Sequence, residues 1–138
     1  MVIQRWQNLL LLIAVVLMCI FCLTPYATHT TEGGNVAVYA SDAPVFLVIN
    51  IVIAALLVLG IFYFKNLKRQ MTVTILSIVL LCASIVTCGF ILYTAMPDAT
   101  LVWTGGVVLL IVALICAVSA YRFMRKDRNL LRSYDRLR

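Results

Sequence analysis

Charge is the scarcest commodity in this 138-residue chain: only 12% of positions are Asp, Glu, Lys or Arg, against about 25% in soluble proteins. With 64% of residues hydrophobic, a soluble fold would lack the polar surface to cover itself, so lipid must solvate much of the chain. No formally charged residue lies between Arg5 and Glu32. The interior of each long apolar run is equally empty of Asp, Glu, Lys, Arg and His. An ion or proton pathway through hydrocarbon normally needs such a group, so a channel or ion-coupled transporter is disfavoured. Small multidrug exporters, similar in length and span number, depend on a membrane-embedded glutamate that is missing here. A single histidine, His29, has only Glu32 beside it in THTTEGG, short of the three or four ligands a zinc site requires.

What is present is four apolar stretches, each long enough at about 1.5 Å per residue to cross about 30 Å of hydrocarbon. They predict transmembrane helices over about residues 6–26, 45–64, 71–95 and 101–123, in a single domain covering 1–138, with a tail over 124–138. Continuous apolar runs leave no alternation for a barrel wall. Arg5 followed by a leucine run has the order of a signal peptide. Pro25 spoils the cleavage site near Ala27, and Met18 and Phe21 precede the cysteines where a lipoprotein signal needs a small residue, so the first span is expected to stay in the mature protein.

All eleven cations fall in three places. One is Arg5, three are Lys65, Lys68 and Arg69, and seven follow from Arg122 onward. The connections over 27–43 and 96–100 contain none. The positive-inside rule then puts the three basic regions and both termini in the cytoplasm. Aromatic residues mark the same levels: Trp6, Phe62, Tyr63, Phe64, Tyr121 and Phe123 at inner ends, Tyr26, Tyr93 and Trp103 near outer ones. In the longer outer connection Gly33 and Gly34 break regular structure, and NVAVYAS alternates enough for a short extended piece. Ser41 and Asp42 read as an N-cap before Pro44, and PDAT at 97–100 as a similar start to the fourth span. The aromatic and basic clusters FYFKNLKR and YRFMRKDR hint at an internal repeat, although interface signals of this kind recur by selection alone.

Few constellations carry chemistry. The sharpest is CIFC, Cys19 to Cys22, near the outer end of the first span. Four-helix membrane thiol oxidoreductases use such a pair, but they need a second, exposed pair to hand the disulfide on. Here the outer connections have no cysteine, and Cys82, Cys88 and Cys116 lie inside spans, where a thiol acts as a small packing group. Asn50 is the strongest polar residue inside a span, with Ser77, Ser84 and Thr87 on the third. These are candidate interhelical hydrogen-bonding groups. Ala113, Ala117 and Tyr121, like Ser84 and Cys88, recur at four-residue steps that let helices approach, whether within the bundle or toward another subunit.

The closing KDRNLLRSYDRLR changes the polar balance while the helical pattern continues: Leu130, Tyr134 and Leu137 share one stripe with Leu131 beside it, and Arg128, Arg132, Arg136 and Arg138 take other positions. Asp135 is spaced to pair with Arg132 or Arg138. From 122 onward seven cations face only Asp127 and Asp135. Attachment to anionic lipid headgroups is therefore expected, at about 1 kcal/mol per cation near the surface. No recognition module points to nucleic acid.

The two chain ends also resemble a known family. The opening IQRWQNLLLLIA, with Ile3, Gln4, Arg5 and Gln7 before its leucine run, and the closing Lys126, Asp127, Leu130, Arg132, Ser133, Asp135, Arg136, Leu137 and Arg138 are similar to the two ends of a family of small four-helix membrane proteins from Bacteroidota catalogued as a domain of unknown function. The resemblance implies a bacterial inner-membrane protein and supplies no activity. The combined expectation is an all-α polytopic membrane protein with both termini cytoplasmic and a basic amphipathic C-terminal helical extension. It would be a non-catalytic accessory or assembly protein without cofactor or metal that docks a membrane or cytoplasmic partner through its basic C-terminal helix, with Leu130, Leu131, Tyr134, Leu137, Arg128, Arg132, Arg136 and Arg138 as the partner or lipid face; its partners are the bilayer, its anionic headgroups and a membrane-protein partner or second copy. The alternatives are a thiol oxidoreductase using Cys19 and Cys22, or a carrier of a lipid or small hydrophobe.

Overall fold

A computed structural model describes residues 2–31, 33–95, 102–103 and 105–136. Four helices, α1 (Val2–Leu23), α2 (Pro44–Phe62), α3 (Leu67–Ala95) and α4 (Gly106–Arg136), are each long and apolar enough to cross a membrane. The chain is thus a multi-pass membrane protein. Between them lie β1 (Ala27–Thr31), β2 (Gly34–Val38) and β3 (Val102–Trp103). Helix α1 packs on α2 and α4, and α3 on α2 and α4, so the helices follow one another around an antiparallel bundle.

Each helix buries a stripe at alternating three- and four-residue steps, the spacing that keeps one seam facing its neighbours. On α1 the stripe is Gln7, Leu11, Ala14, Met18 and Phe21, and on α2 it is Phe46, Asn50, Ile53, Leu57 and Gly60. Helix α4 buries Leu110, Ala113, Ala117, Ala120 and Met124, and its most extensive contact in the bundle is with α1. The Ala113 and Ala117 steps therefore serve packing inside the chain. Helix α3 buries Gln70, Thr74, Ser77 and Ser84 while Ile75, Leu76, Val79, Val86 and Phe90 face outward. Polar inside and apolar outside suits a helix whose solvent is hydrocarbon.

Several boundaries differ from the sequence reading, each for a local reason. Helix α1 ends at Leu23 rather than near Tyr26, because Pro25 disfavours helix at the residue before it. Thr24 Oγ1 donates to the Ile20 carbonyl at 3.0 Å, and the Tyr26 N–H donates to the Val38 carbonyl at 3.0 Å. Tyr26 then turns inward, away from the expected interface level. It is buried against Phe21 and Phe46, with ring centroids 6.2 and 5.7 Å away. Ala43, not Ser41 or Asp42, caps α2 ahead of Pro44. Asp42 instead accepts from the Tyr39 N–H at 2.7 Å and closes a 3-10 turn. Helix α3 starts one turn before Met71, at Leu67.

The larger change is at the end opposite the chain termini. The extended piece is one strand of a hairpin, β1 pairing antiparallel with β2 from Ala27↔Val38 to Thr31↔Gly34. Gly34 closes the turn at φ +125°, which glycine adopts without a Cβ penalty. Strand β3 adds to the other edge through Ala27↔Trp103 and Thr28↔Val102. Helix α4 consequently begins at Gly106 and not near Leu101. The PDAT segment lies outside the described residues. One small sheet thus joins both loop connections and ties the starts of α2 and α4 to the end of α1.

Candidate functional site

A reaction or transport path inside the bundle would use its interior polar residues. Ser84 Oγ on α3 donates to Asn50 Oδ1 on α2 at 2.9 Å, and Asn50 Nδ2 donates to the Phe46 carbonyl at 2.8 Å. Asn50 is thereby committed to holding α2 against α3. Ser77 and Thr87 do not make the interhelical contacts expected of them. Their hydroxyls donate to the carbonyls of Val73 and Ala83 one turn back, at 2.9 and 2.8 Å. A Ser or Thr side chain reaches its own helix backbone as readily as a neighbour, which is the physical reason for the correction.

Nearer the end that carries the termini, Gln70 Nε2 donates to Asn8 Oδ1 at 3.0 Å, linking α3 to α1 across the bundle. Thr74 Oγ1 donates to the Gln70 carbonyl at 2.9 Å and sits 3.8 Å from Met124 Sδ on α4. Gln7, next to Asn8 on α1, is buried, and its amide has no hydrogen-bond partner among the described residues. None of these side chains titrates near neutral pH, so the cluster orders the bundle end without offering an acid or base.

The thiols are dispersed. Cys19 is exposed on α1, Cys22 is half-buried one turn on, and both are free. Cys82, Cys88 and Cys116 are also free and lie within α3 and α4.

The distinctive surface is where α4 outlasts its neighbours. Its buried stripe runs through Ala117, Ala120 and Met124, and the same spacing continues to Asp127, half-buried, and Leu131, 55% exposed. From Phe123 to Arg136 the helix extends about 20 Å without a break. On one flank of the Leu131 line stand Leu130 and Tyr134, one turn apart, 43% and 71% exposed. On the other flank stand Arg128 and Arg132, also one turn apart. The backbone of Arg136 ends α4, while Leu137 and Arg138 lie outside the described residues, as do the side chains of Asp135 and Arg136.

The arginine flank does not face open space. Lys65, in the turn joining α2 to α3, and Leu67 and Lys68, in the first turn of α3, close a cleft of about 450 Å³ with Arg128, Leu131 and Arg132. Asn66 completes its wall, and no acidic side chain is among the described residues lining it. Lys65 also lies 5.9 Å from the Phe64 ring centroid, next to exposed Phe62 and half-exposed Tyr63. A second, shallower concavity follows α4 itself, past Arg122, Arg125, Lys126, Asn129, Leu130 and Ser133.

Reading the sequence assigned Arg128, Arg132 and Leu131 to a contact face but gave Lys65 and Lys68 only a role in topology. Their placement opposite α4 depends on an antiparallel return some 60 residues away in sequence, a relation that no local pattern carries. Gln7 and Gln70 were missed as interior residues because each sits at the polar edge of its apolar run.

No curated protein and no solved structure matches the chain. The family described as a domain of unknown function, DUF4293, matches residues 3–137, and the chain belongs to that family.

Proposed function

We propose that the chain is a non-catalytic accessory or assembly protein of a bacterial cytoplasmic membrane, with both termini in the cytoplasm, and that it docks a membrane or cytoplasmic partner through the extension of α4. The single observation carrying the reading is the exposed apolar line of Leu130, Leu131 and Tyr134 on a helix that continues past the bundle. Topology signals require cations there but not leucine and tyrosine. Exposed aromatic and aliphatic side chains on a rigid helix are what helix-in-groove recognition uses as anchors. Orientation rests on the distribution of the cations in the sequence: Arg5, the group of Lys65, Lys68 and Arg69, and the seven from Arg122 onward fall on one side of the four spans, and none lies in the connections over 27–43 and 96–100. The scaffold reading is supported by the Asn50–Ser84 and Gln70–Asn8 hydrogen bonds, which hold helix to helix in the interior.

Affinity purification of the full chain in mild detergent provides the test, beside a form lacking 127–138 and a Leu130→Ser/Tyr134→Ser variant. The expected outcome is a defined protein that co-purifies stoichiometrically with the full chain and is lost from both altered forms. Equal recovery from all three, or no co-purifying protein from any, would contradict the proposal.

A further inference from the structure

We infer that the cleft between the α2–α3 turn and the α4 extension is a binding site for the phosphate group of one anionic phospholipid, gripped by Lys65, Lys68, Arg128 and Arg132. Four cations from the α2–α3 turn, α3 and α4 line one concavity with no acid in its described wall, an arrangement that attracts an anion. Arginine presents its donors in a planar fork that matches phosphate oxygens, and lysine adds a compact point charge.

Position narrows the anion to a lipid. Lys65 is the last residue of the apolar segment Pro44–Lys65, and the exposed rings of Phe62, Tyr63 and Phe64 precede it. Aromatic side chains of that kind settle at the headgroup level, so the cleft opens where phospholipid phosphates lie. Its wall is not purely ionic. Leu67 and Leu131 supply apolar surface on which the first methylenes of an acyl chain or glycerol can rest, a feature a soluble phosphate would not use. Basic pockets beside transmembrane helices are a recurrent mode of anionic-headgroup binding. The cleft uses the arginine flank of α4, opposite Leu130 and Tyr134, so the inference depends on the helices crossing a bilayer and not on any protein partner.

Native mass spectrometry of the full chain, extracted in a non-ionic detergent, tests it directly. The probes are phosphatidylglycerol and phosphatidylcholine with identical acyl chains. The expected result is one retained phosphatidylglycerol per chain in preference to phosphatidylcholine. Lys65→Gln/Lys68→Gln and Arg128→Gln/Arg132→Gln should each weaken retention by at least about tenfold. Arg122→Gln/Lys126→Gln, with the same loss of charge on the face of α4 turned away from the cleft, should leave it nearly unchanged. Circular dichroism on each variant checks that the helices remain; the two cleft pairs lie on different elements, so a folding defect in one leaves the other informative. Inorganic phosphate in large excess should not displace the lipid. Equal retention of both lipids, an equal loss in the Arg122→Gln/Lys126→Gln variant, or displacement by free phosphate would overturn the inference.

Discussion

Asn50 shows how a single side chain can be legible in one respect and opaque in another. An amide deep in an apolar run must find a partner, because hydrocarbon offers none. That much follows from composition, and Ser84 meets the need at 2.9 Å. Which hydroxyl would meet it does not follow, since Ser77, Ser84 and Thr87 all lie on α3 and two of them bond back to their own helix. The pair permits a quantitative prediction. A double-mutant cycle on Asn50→Ala and Ser84→Ala, read from unfolding in mixed micelles, should give a coupling energy of about 0.6 to 1.7 kcal/mol. Coupling indistinguishable from zero would mean the two groups do not share a hydrogen bond in the membrane. Tyr26 illustrates the opposite failure. Its place near the end of an apolar run suggested the lipid interface, but Pro25 turns the chain and packs the ring against Phe21 and Phe46.

Among the elements, the four helices were open to reading because their apolar runs are long and each is bounded by charge, glycine or proline. The three-stranded sheet was only half visible. Alternation in Asn35–Tyr39 announced an extended piece, but the pairing of Ala27–Thr28 with Val102–Trp103 joins segments more than 70 residues apart, and so short a strand has no period of its own. The sheet has a packing consequence at the start of α4. A Cβ built on Gly106 would lie 2.7 Å from the Tyr26 Cα and 2.8 Å from the Pro25 carbonyl oxygen, whereas one on Gly105 meets nothing within 4 Å. Gly106→Ala should therefore destabilise the protein by about 1 to 3 kcal/mol, since backbone rather than a pliable side chain must give way. Gly105→Ala should stay within about 0.5 kcal/mol of the parent. Thermal unfolding of both in the same detergent checks this. Equal stability of the two variants would mean that α4 does not start against the 25–26 backbone.

At the scale of the whole molecule the bundle presents an apolar outside of Val, Ile, Leu and Phe to lipid, while its seams combine Leu11, Phe21, Ile53, Leu57, Leu81 and Leu110 with small and polar side chains such as Ala113, Ala117, Asn50 and Ser84. The loop connections are drawn into one sheet at one end, and at the other α4 alone projects. That projection explains why the terminal charge reads two ways. In the sequence it is the largest of three basic clusters; in three dimensions its arginine flank meets Lys65 and Lys68, which leaves Leu130 and Tyr134 on the free flank. The proposed docking role belongs to that free flank, and photo-crosslinking in living cells is its most direct test. With a photoreactive residue placed singly at Leu130, Tyr134, Arg125 or Arg132, positions 130 and 134 are predicted to yield one discrete protein adduct of the same mass. Positions 125 and 132, on the opposite side of α4, are predicted to yield none. Adducts of equal yield at all four positions, or no protein adduct at 130 and 134, would contradict the account.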